Sequence, residues 1–291
     1  MTHPPGHDNA VEAAETDSAI GDDTSSVTRT LDSEATRYEF ENGRRYHSYK
    51  AGSIQHHIWL EKLDGKLQAA PISEDVQDVL DIGTGTGNWA IDFADEYPSA
   101  RVIGVDLSPI QPTWVPPNCF FEVDDCEADW TYNHKFDFIH GRMLTIGWRN
   151  WDKLCEQAFD YLNPGGWFEL QEFAFPLTCE CPPDTHPEPL PCEYFRLVKE
   201  AAEKRGVKLQ DPDIMAERLK AFGFTNVHTD RHKWMLSDPK VKRNALTGLE
   251  GIAMSLYTKQ LGWSREEVLV YIAGVRKAIK ADKPDHLSFP T

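Results

Sequence analysis

Seven consecutive residues, Asp81-Ile82-Gly83-Thr84-Gly85-Thr86-Gly87, join a carboxylate to three glycines at alternate positions. They lie between a short apolar run and a helical stretch, where glycine lets the backbone turn sharply and meet a ligand without a Cβ in the way. Dinucleotide sites space their glycines G-x-G-x-x-G, and here the third comes one residue early; no lysine follows Gly87, which excludes a P-loop. Asp106 lies 19 residues past Gly87, at the end of the next apolar run. A carboxylate there can accept both hydroxyls of an adenosine ribose; otherwise it caps a turn. After a third run come Asp124, Asp125 and Cys126. One of these acids, with Asp125 favoured, can take the exocyclic amine of adenine while a backbone amide meets a ring nitrogen. The competing reading is a purely structural turn.

Positioning such groups takes strands that end together. Strand and helix signals alternate from about residue 77. Gln77–Ile82, Arg101–Asp106, Cys119–Val123, Phe136–His140 and Trp167–Phe173 read as strands, and Asn88–Tyr97 and Trp151–Leu162 as helices. Asn163-Pro164-Gly165-Gly166 reads as a turn, and 174–191, rich in proline, as a long loop. Helices are expected over Glu193–Lys204 and from Asp211-Pro212 to Phe222, then a sixth strand over Asn226–Met235. Two more helices follow, the second opened by the capping box Ser264-Arg265-Glu266-Glu267. Such alternation implies an α/β fold, a parallel sheet covered on both faces.

The chain has 291 residues, with 30 Lys plus Arg against 47 Asp plus Glu, a formal charge of −17 that argues against nucleic acid as a partner. No apolar stretch reaches the ~20 residues of a membrane span, and the N-terminus lacks the pattern of a secretory signal. A cytoplasmic or nuclear location is therefore expected. Six cysteines are too few for a disulfide scaffold, and Cys179-Glu180-Cys181 has no second pair at zinc spacing, so no metal is expected. Residues 1–36 carry eight acids against Arg29 alone and few aliphatics, the composition of a disordered tail.

At these residues the sequence resembles the class I S-adenosylmethionine-dependent methyltransferases. The matching features are Asp81–Gly87, Asp106, Asp124-Asp125, Leu162-Asn163-Pro164-Gly165-Gly166 and Ala221-Phe222-Gly223-Phe224, in the expected order. Asn42–His47, Gln55-His56-His57, Leu63–Leu67, Phe136–Met143 and Trp167–Glu172 are similar to the narrower LaeA-like fungal family. The resemblance implies a Rossmann-like class I methyltransferase sheet with helices on both faces, an N-terminal helical lid (37–76) and C-terminal helical additions within a domain spanning 77–291. It implies S-adenosyl-L-methionine as cofactor, held by Asp81, Gly83, Gly85, Gly87, Asp106, Leu107, Asp125, Cys126 and His140. The expected activity is methylation of a small-molecule acceptor of fungal secondary metabolism, at oxygen, nitrogen or carbon. The alternative is a regulator acting mainly through nuclear protein partners. Two departures from the family stand out: the segment between Lys50 and Gln55 is short, and the terminal segment His286–Thr291 leaves the sixth strand without its usual neighbour.

Methyl transfer from a sulfonium is an in-line displacement, so the protein mainly positions the partners and excludes water. A hydroxyl or carboxyl acceptor also needs a base, for which His140 and His47 are the candidates. Tyr46, Arg142 and Glu172 are the candidates for substrate binding, and Tyr49 for the lid. In the competing readings His140 packs in the core, Arg142 pairs with a surface acid and Glu172 is solvated. His56 and His57 read as lid-packing helix residues. Trp114, Trp148 and Trp151 read as core and rim, with room for one or two to line the acceptor pocket. Specificity is expected from the loop 174–191 and the final helices.

Overall fold

A computed structural model describes residues 48–174, 178–179, 188–207, 209, 211–281 and 287–290, with backbone alone for 48–53, 178–179 and 287–290. The acidic tail over 1–36, the stretch 37–47 with Tyr46 and His47, the side chain of Tyr49, most of the loop 174–191 and Cys181 lie outside this description.

Five strands, β1 (Asp78–Ile82), β2 (Arg101–Asp106), β3 (Cys119–Val123), β4 (Phe136–Arg142) and β5 (Leu162–Gln171), form one parallel sheet in the order β3-β2-β1-β4-β5. Side chains alternate across it, as the period of two requires. Val79, Val102, Phe138 and Trp167 face one way, against Trp89, Ala90, Phe93 and Ala94 of α2 (Asn88–Glu96). Leu80, Ile82, Ile103, Val105, Ile139 and Leu170 face the other, against α3 (Trp151–Tyr161), with Met215 of α5 (Pro212–Ala221) at its edge. Both faces are covered, so the strands read as nearly continuous apolar runs. The chain builds outward from β1 to β3 and then returns to lay β4 on the other side of β1. At that reversal the connections leave the strand ends in opposite directions and open a crevice.

A second core lies beyond those strand ends. Ile58 and Trp59 of α1 (Ser48–Lys62) pack with Tyr194, Phe195 and Val198 of α4 (Leu190–Lys204). Val241, Leu249 and Ala253 of α6 (Pro239–Leu256) and Val268, Ile272 and Val275 of α7 (Arg265–Ala281) complete it. Local signals set the boundaries. Asp211 caps α5 by accepting from the Asp213 amide at 2.8 Å, and Ser264 and Glu267 form the capping box, with the Ser264 amide donating to Glu267 at 2.7 Å.

Three expectations are corrected. Asn163-Pro164-Gly165-Gly166 begins β5 instead of forming a separate turn, at the cost of a register irregularity opposite Phe136–Phe138. The sixth strand shrinks to β7 (Lys233–Met235) and leaves the parallel sheet. Residues 226–232 are mostly exposed and polar, and have little to bury against a sheet, whereas Trp234 and Leu236 are fully buried in the helical core. Nor does β7 lack a neighbour. It pairs antiparallel with β8 (Leu287–Pro290), which pairs in turn with β6 (Thr178–Cys179) inside the segment expected to be a loop.

Trp234 anchors the second core: it packs edge-on to Trp59 (centroids 5.0 Å) and Phe173 (4.6 Å). Trp234→Ala is expected to cost about 3–5 kcal/mol in urea denaturation, whereas Trp114→Ala, at a side chain 92% exposed, should stay within about 0.5 kcal/mol of wild type.

Candidate active site

The crevice at the reversal holds a cavity of about 370 Å³. Its floor comes from the ends of β1 and β4 and from the glycine turn, where Gly83, Gly85 and Gly87 all take positive φ. Gly85 is the member of the three with open space beside it. A Cβ there would meet no atom closer than the Gly83 carbonyl oxygen at 4.0 Å, so the open space belongs to a ligand and not to the protein's own packing. Gly87 differs, since a Cβ would run into the Phe121 ring at 2.4 Å.

Asp81 and His140 are register partners across β1 and β4. Their side chains share a face, and His140 Nδ1 lies 2.7 Å from Asp81 Oδ1. The other Asp81 oxygen accepts from the Thr84 hydroxyl at 2.5 Å. A carboxylate acceptor fixes the imidazole tautomer with the proton on Nδ1, leaving a lone pair on Nε2. Among the described residues Nε2 has no hydrogen-bond partner; it is buried, on a residue that lines the cavity. The ring stacks on Trp89, centroids 3.7 Å apart and planes nearly parallel. Burial pulls the His140 imidazole below its usual range, with Asp81 opposing, so the neutral form is favoured.

Arg142 follows on the same face. Its Nε donates to Gln171 Oε1 at 2.7 Å, its Nη1 lies 2.9 Å from His56 Nδ1, and the guanidinium sits 5.6 Å from the Trp59 ring. His56 Nε2 in turn meets Asp92 at 2.8 Å. None of these direct partners is a carboxylate, Nη2 is buried without a partner among the described residues, and burial brings the guanidinium down to about 10. The expected pairing with a surface acid is thus replaced by a contact to α1. The same face ties the rest of the lid segment: Glu169 accepts from the Ala69 and Ala70 amides, and both Trp89 Nε1 and Gln171 Nε2 donate to the Leu67 carbonyl.

The remaining candidates sit around this centre. Asp106 accepts from the Gly85 amide at 2.8 Å and the Ser108 amide at 2.9 Å, clamping the glycine turn to the end of β2. Leu107 beside it is 62% exposed. Asp125 accepts from the Glu127 amide at 2.9 Å, so it shapes its own turn, and the Cys126 carbonyl accepts from Trp130 Nε1. Glu172 is outside the cavity lining and only partly exposed: it accepts from the Leu144 and Thr145 amides at 2.7 and 3.1 Å and holds the turn after β4. Trp148 and Trp151 are core residues and Trp114 is exposed; the tryptophans lining the cavity are Trp89 and Trp234. Sequence reasoning set His56 aside as a packing residue, and it did not single out Phe173, Phe195 or the face of α6 from Val241 to Ile252. The period of that face is visible in the sequence, but an apolar helical stripe is equally the signature of core. Among the described residues no group of three or more His, Cys, Asp or Glu could hold a metal, and no helix is long and apolar enough to cross a membrane.

A family profile described as a methyltransferase domain matches residues 54–229. The chain belongs to that family. It is 37% identical over 284 residues to methyltransferase pytC of Aspergillus terreus, covering 88% of this chain and 86% of pytC. It is 30% identical over 303 residues to secondary metabolism regulator laeA of Aspergillus fumigatus, covering 91% and 79%, and 30% identical over 275 residues to secondary metabolism regulator LAE1 of Cochliobolus heterostrophus, covering 82% and 88%. It is a LaeA-like class I methyltransferase whose cofactor is S-adenosylmethionine. The methyltransferase site fits that cofactor, with an open glycine turn, a carboxylate clamped behind it, and two buried nitrogens lacking partners on the cavity floor.

Glu172 gives the site a pH signature. Burial pushes its carboxyl from 4.5 up to about 7. The folded chain therefore holds a proton that the unfolded chain releases, and its contribution to stability is full below pH 4.5 and declines as the pH rises through 7. In Glu172→Gln the melting temperature should lose that part of its decline between pH 4.5 and 8; an unaltered slope would show that the carboxyl titrates normally.

Proposed function

We propose that this methyltransferase methylates a small-molecule acceptor of fungal secondary metabolism, with His140 as general base and Arg142 as the anion-binding group. The single observation that carries the reading is the Asp81–His140 pair on a residue that lines the cavity, whose Nε2 has no hydrogen-bond partner among the described residues. When bound, S-adenosylmethionine supplies a methyl group on a positively charged sulfur. The protein's part is to orient and to move a proton: Nε2 takes the proton of an acceptor hydroxyl while Asp81 stabilises the resulting imidazolium. The apolar walls exclude water and leave the positive sulfonium few competing cations. Asp106 and the Gly85 backbone, at the end of β2, are the ribose side of the site, and Leu107, Asp125 and Cys126 the adenine side.

His140→Asn keeps a donor for Asp81 and removes the basic nitrogen. Transfer of labelled methyl from S-adenosylmethionine to an organic extract of the source organism should fall by about 10²–10⁴-fold. Affinity for S-adenosylhomocysteine should hold, and the acid limb of the wild-type pH profile, with its midpoint below 6.5, should vanish. A variant that keeps both rate and limb would remove His140 from the chemistry. The 30% identity to secondary metabolism regulator laeA supports a second reading, a regulator acting through nuclear protein partners. Wild-type protein that binds S-adenosylhomocysteine yet labels nothing in the extract would favour it.

The buried Arg142 hydrogen-bonds to no carboxylate among the described residues and is suited to one from a ligand, either that of the cofactor's methionine half or one on the acceptor. Arg142→Met should weaken S-adenosylhomocysteine by about tenfold or more, while 5′-methylthioadenosine, which lacks the amino acid, binds as before. Equal affinities of wild type and variant for S-adenosylhomocysteine would assign the arginine to the acceptor.

A further inference from the structure

Gly248 lies in the interior of the 18-residue helix α6 and lines the cavity. Glycine is a poor choice there, because it gives up more backbone freedom on helix formation than any other residue. No neighbour demands it. A Cβ at 248 would meet only Ile252 Cδ1, at 3.6 Å, which is an ordinary contact, and the backbone is helical with no positive φ. Three other cavity residues of α6, Val241, Ala245 and Ile252, share its face at helical spacing. Gly248 and Ala245 leave that face nearly bare in its middle, while Phe173, Phe195 and Trp234 line the same cavity with rings. The polar side chain that α6 adds to the lining is Asn244.

Resting on the methyltransferase reading above, we infer that Gly248 determines acceptor specificity: it keeps a flat, apolar space beside α6 for an acceptor of at least two fused or linked rings carrying an acidic phenolic or enolic hydroxyl. The rings lie against the bare helix face and the aromatic wall, and the hydroxyl points to the floor where His140 Nε2 is. A flat ring system gains from such a surface because it buries apolar area on both faces without ordering rotatable bonds.

The test uses 2-naphthol and phenol as probes, titrated by calorimetry into the full-length protein saturated with S-adenosylhomocysteine. Wild type should bind 2-naphthol about tenfold more tightly than phenol or better. Gly248→Leu, and independently Ala245→Leu one turn away, should abolish that preference while the dissociation constant of S-adenosylhomocysteine stays unchanged. Gly248→Ala should raise the melting temperature by about 2–4 °C, the gain expected when a glycine is kept for a ligand and not for the fold. The inference is overturned if wild type shows no preference for the two-ring phenol, if both leucine variants retain it, or if Gly248→Ala lowers the melting temperature. Failure of wild type to bind S-adenosylhomocysteine would instead overturn the reading on which it rests.

Discussion

The arrangement depends on one buried contact, the 2.7 Å hydrogen bond between Asp81 and His140. Asp81 is 2% exposed and His140 not exposed at all. A carboxylate taken out of water is strongly unfavourable unless its oxygens are satisfied, and here one oxygen has the imidazole and the other the Thr84 hydroxyl. The pair spans β1 and β4, the two strands between which the connections reverse, so it fixes the crevice where the sheet has most room for a ligand. It also begins the glycine turn, because Thr84 is part of that turn. One contact thus sets the register at the switch point, the start of the turn and the protonation state of the group facing the cavity.

Around that pair the molecule is organised in shells of decreasing regularity. The parallel sheet and its flanking helices need only apolar alternation and supply a rigid floor. The N-terminal helix α1 attaches to this floor through polar links, His56 to Arg142 and Asp92. Such links are directional and sensitive to charge, so the helix is positioned more by hydrogen bonds than by packing at this point. The helical layer of α4, α6 and α7 then closes the cavity from above with side chains of its own core. Residues that stabilise this layer therefore also shape the cavity, and Trp234 belongs to both.

Much of the cofactor side was legible because its chemistry is local. Asp81 to Gly87 lie within seven residues, and the role of glycine in a turn is set by the backbone. Asp106 was identifiable because parallel strands of similar length end at the same level of the sheet, which turns a sequence spacing into a spatial one. Arg142 was identified as a site residue, but its partners were not: the reading of a surface ion pair failed because β4 and α1 meet only in three dimensions. Glu172 shows the same limit. A carboxylate at a strand end looks like a substrate ligand in one dimension, and only the fold of the turn after β4 brings the Leu144 and Thr145 amides to it. The sixth strand was misassigned because hydropathy sees Trp234 and Leu236 as strand-like without saying which core will bury them.

The amino-acid sequence alone determined the order of the first five strands and the helices between them, the glycine turn and the carboxylate behind it, because each rests on backbone conformation and on periods of two or 3.6 residues, and its resemblance to a family gave the class of cofactor. The tertiary structure alone decided that His140 is buried against Asp81 and lines the cavity, that Arg142 hydrogen-bonds to no carboxylate among the described residues, and that Leu287–Pro290 forms the middle strand of a second sheet. It also decided that Gly248, of the two glycines in α6, lines the cavity. Protonation, charge pairing and cavity shape depend on which atoms from distant segments come within a few ångströms of one another, and that is a property of packing that no local pattern encodes.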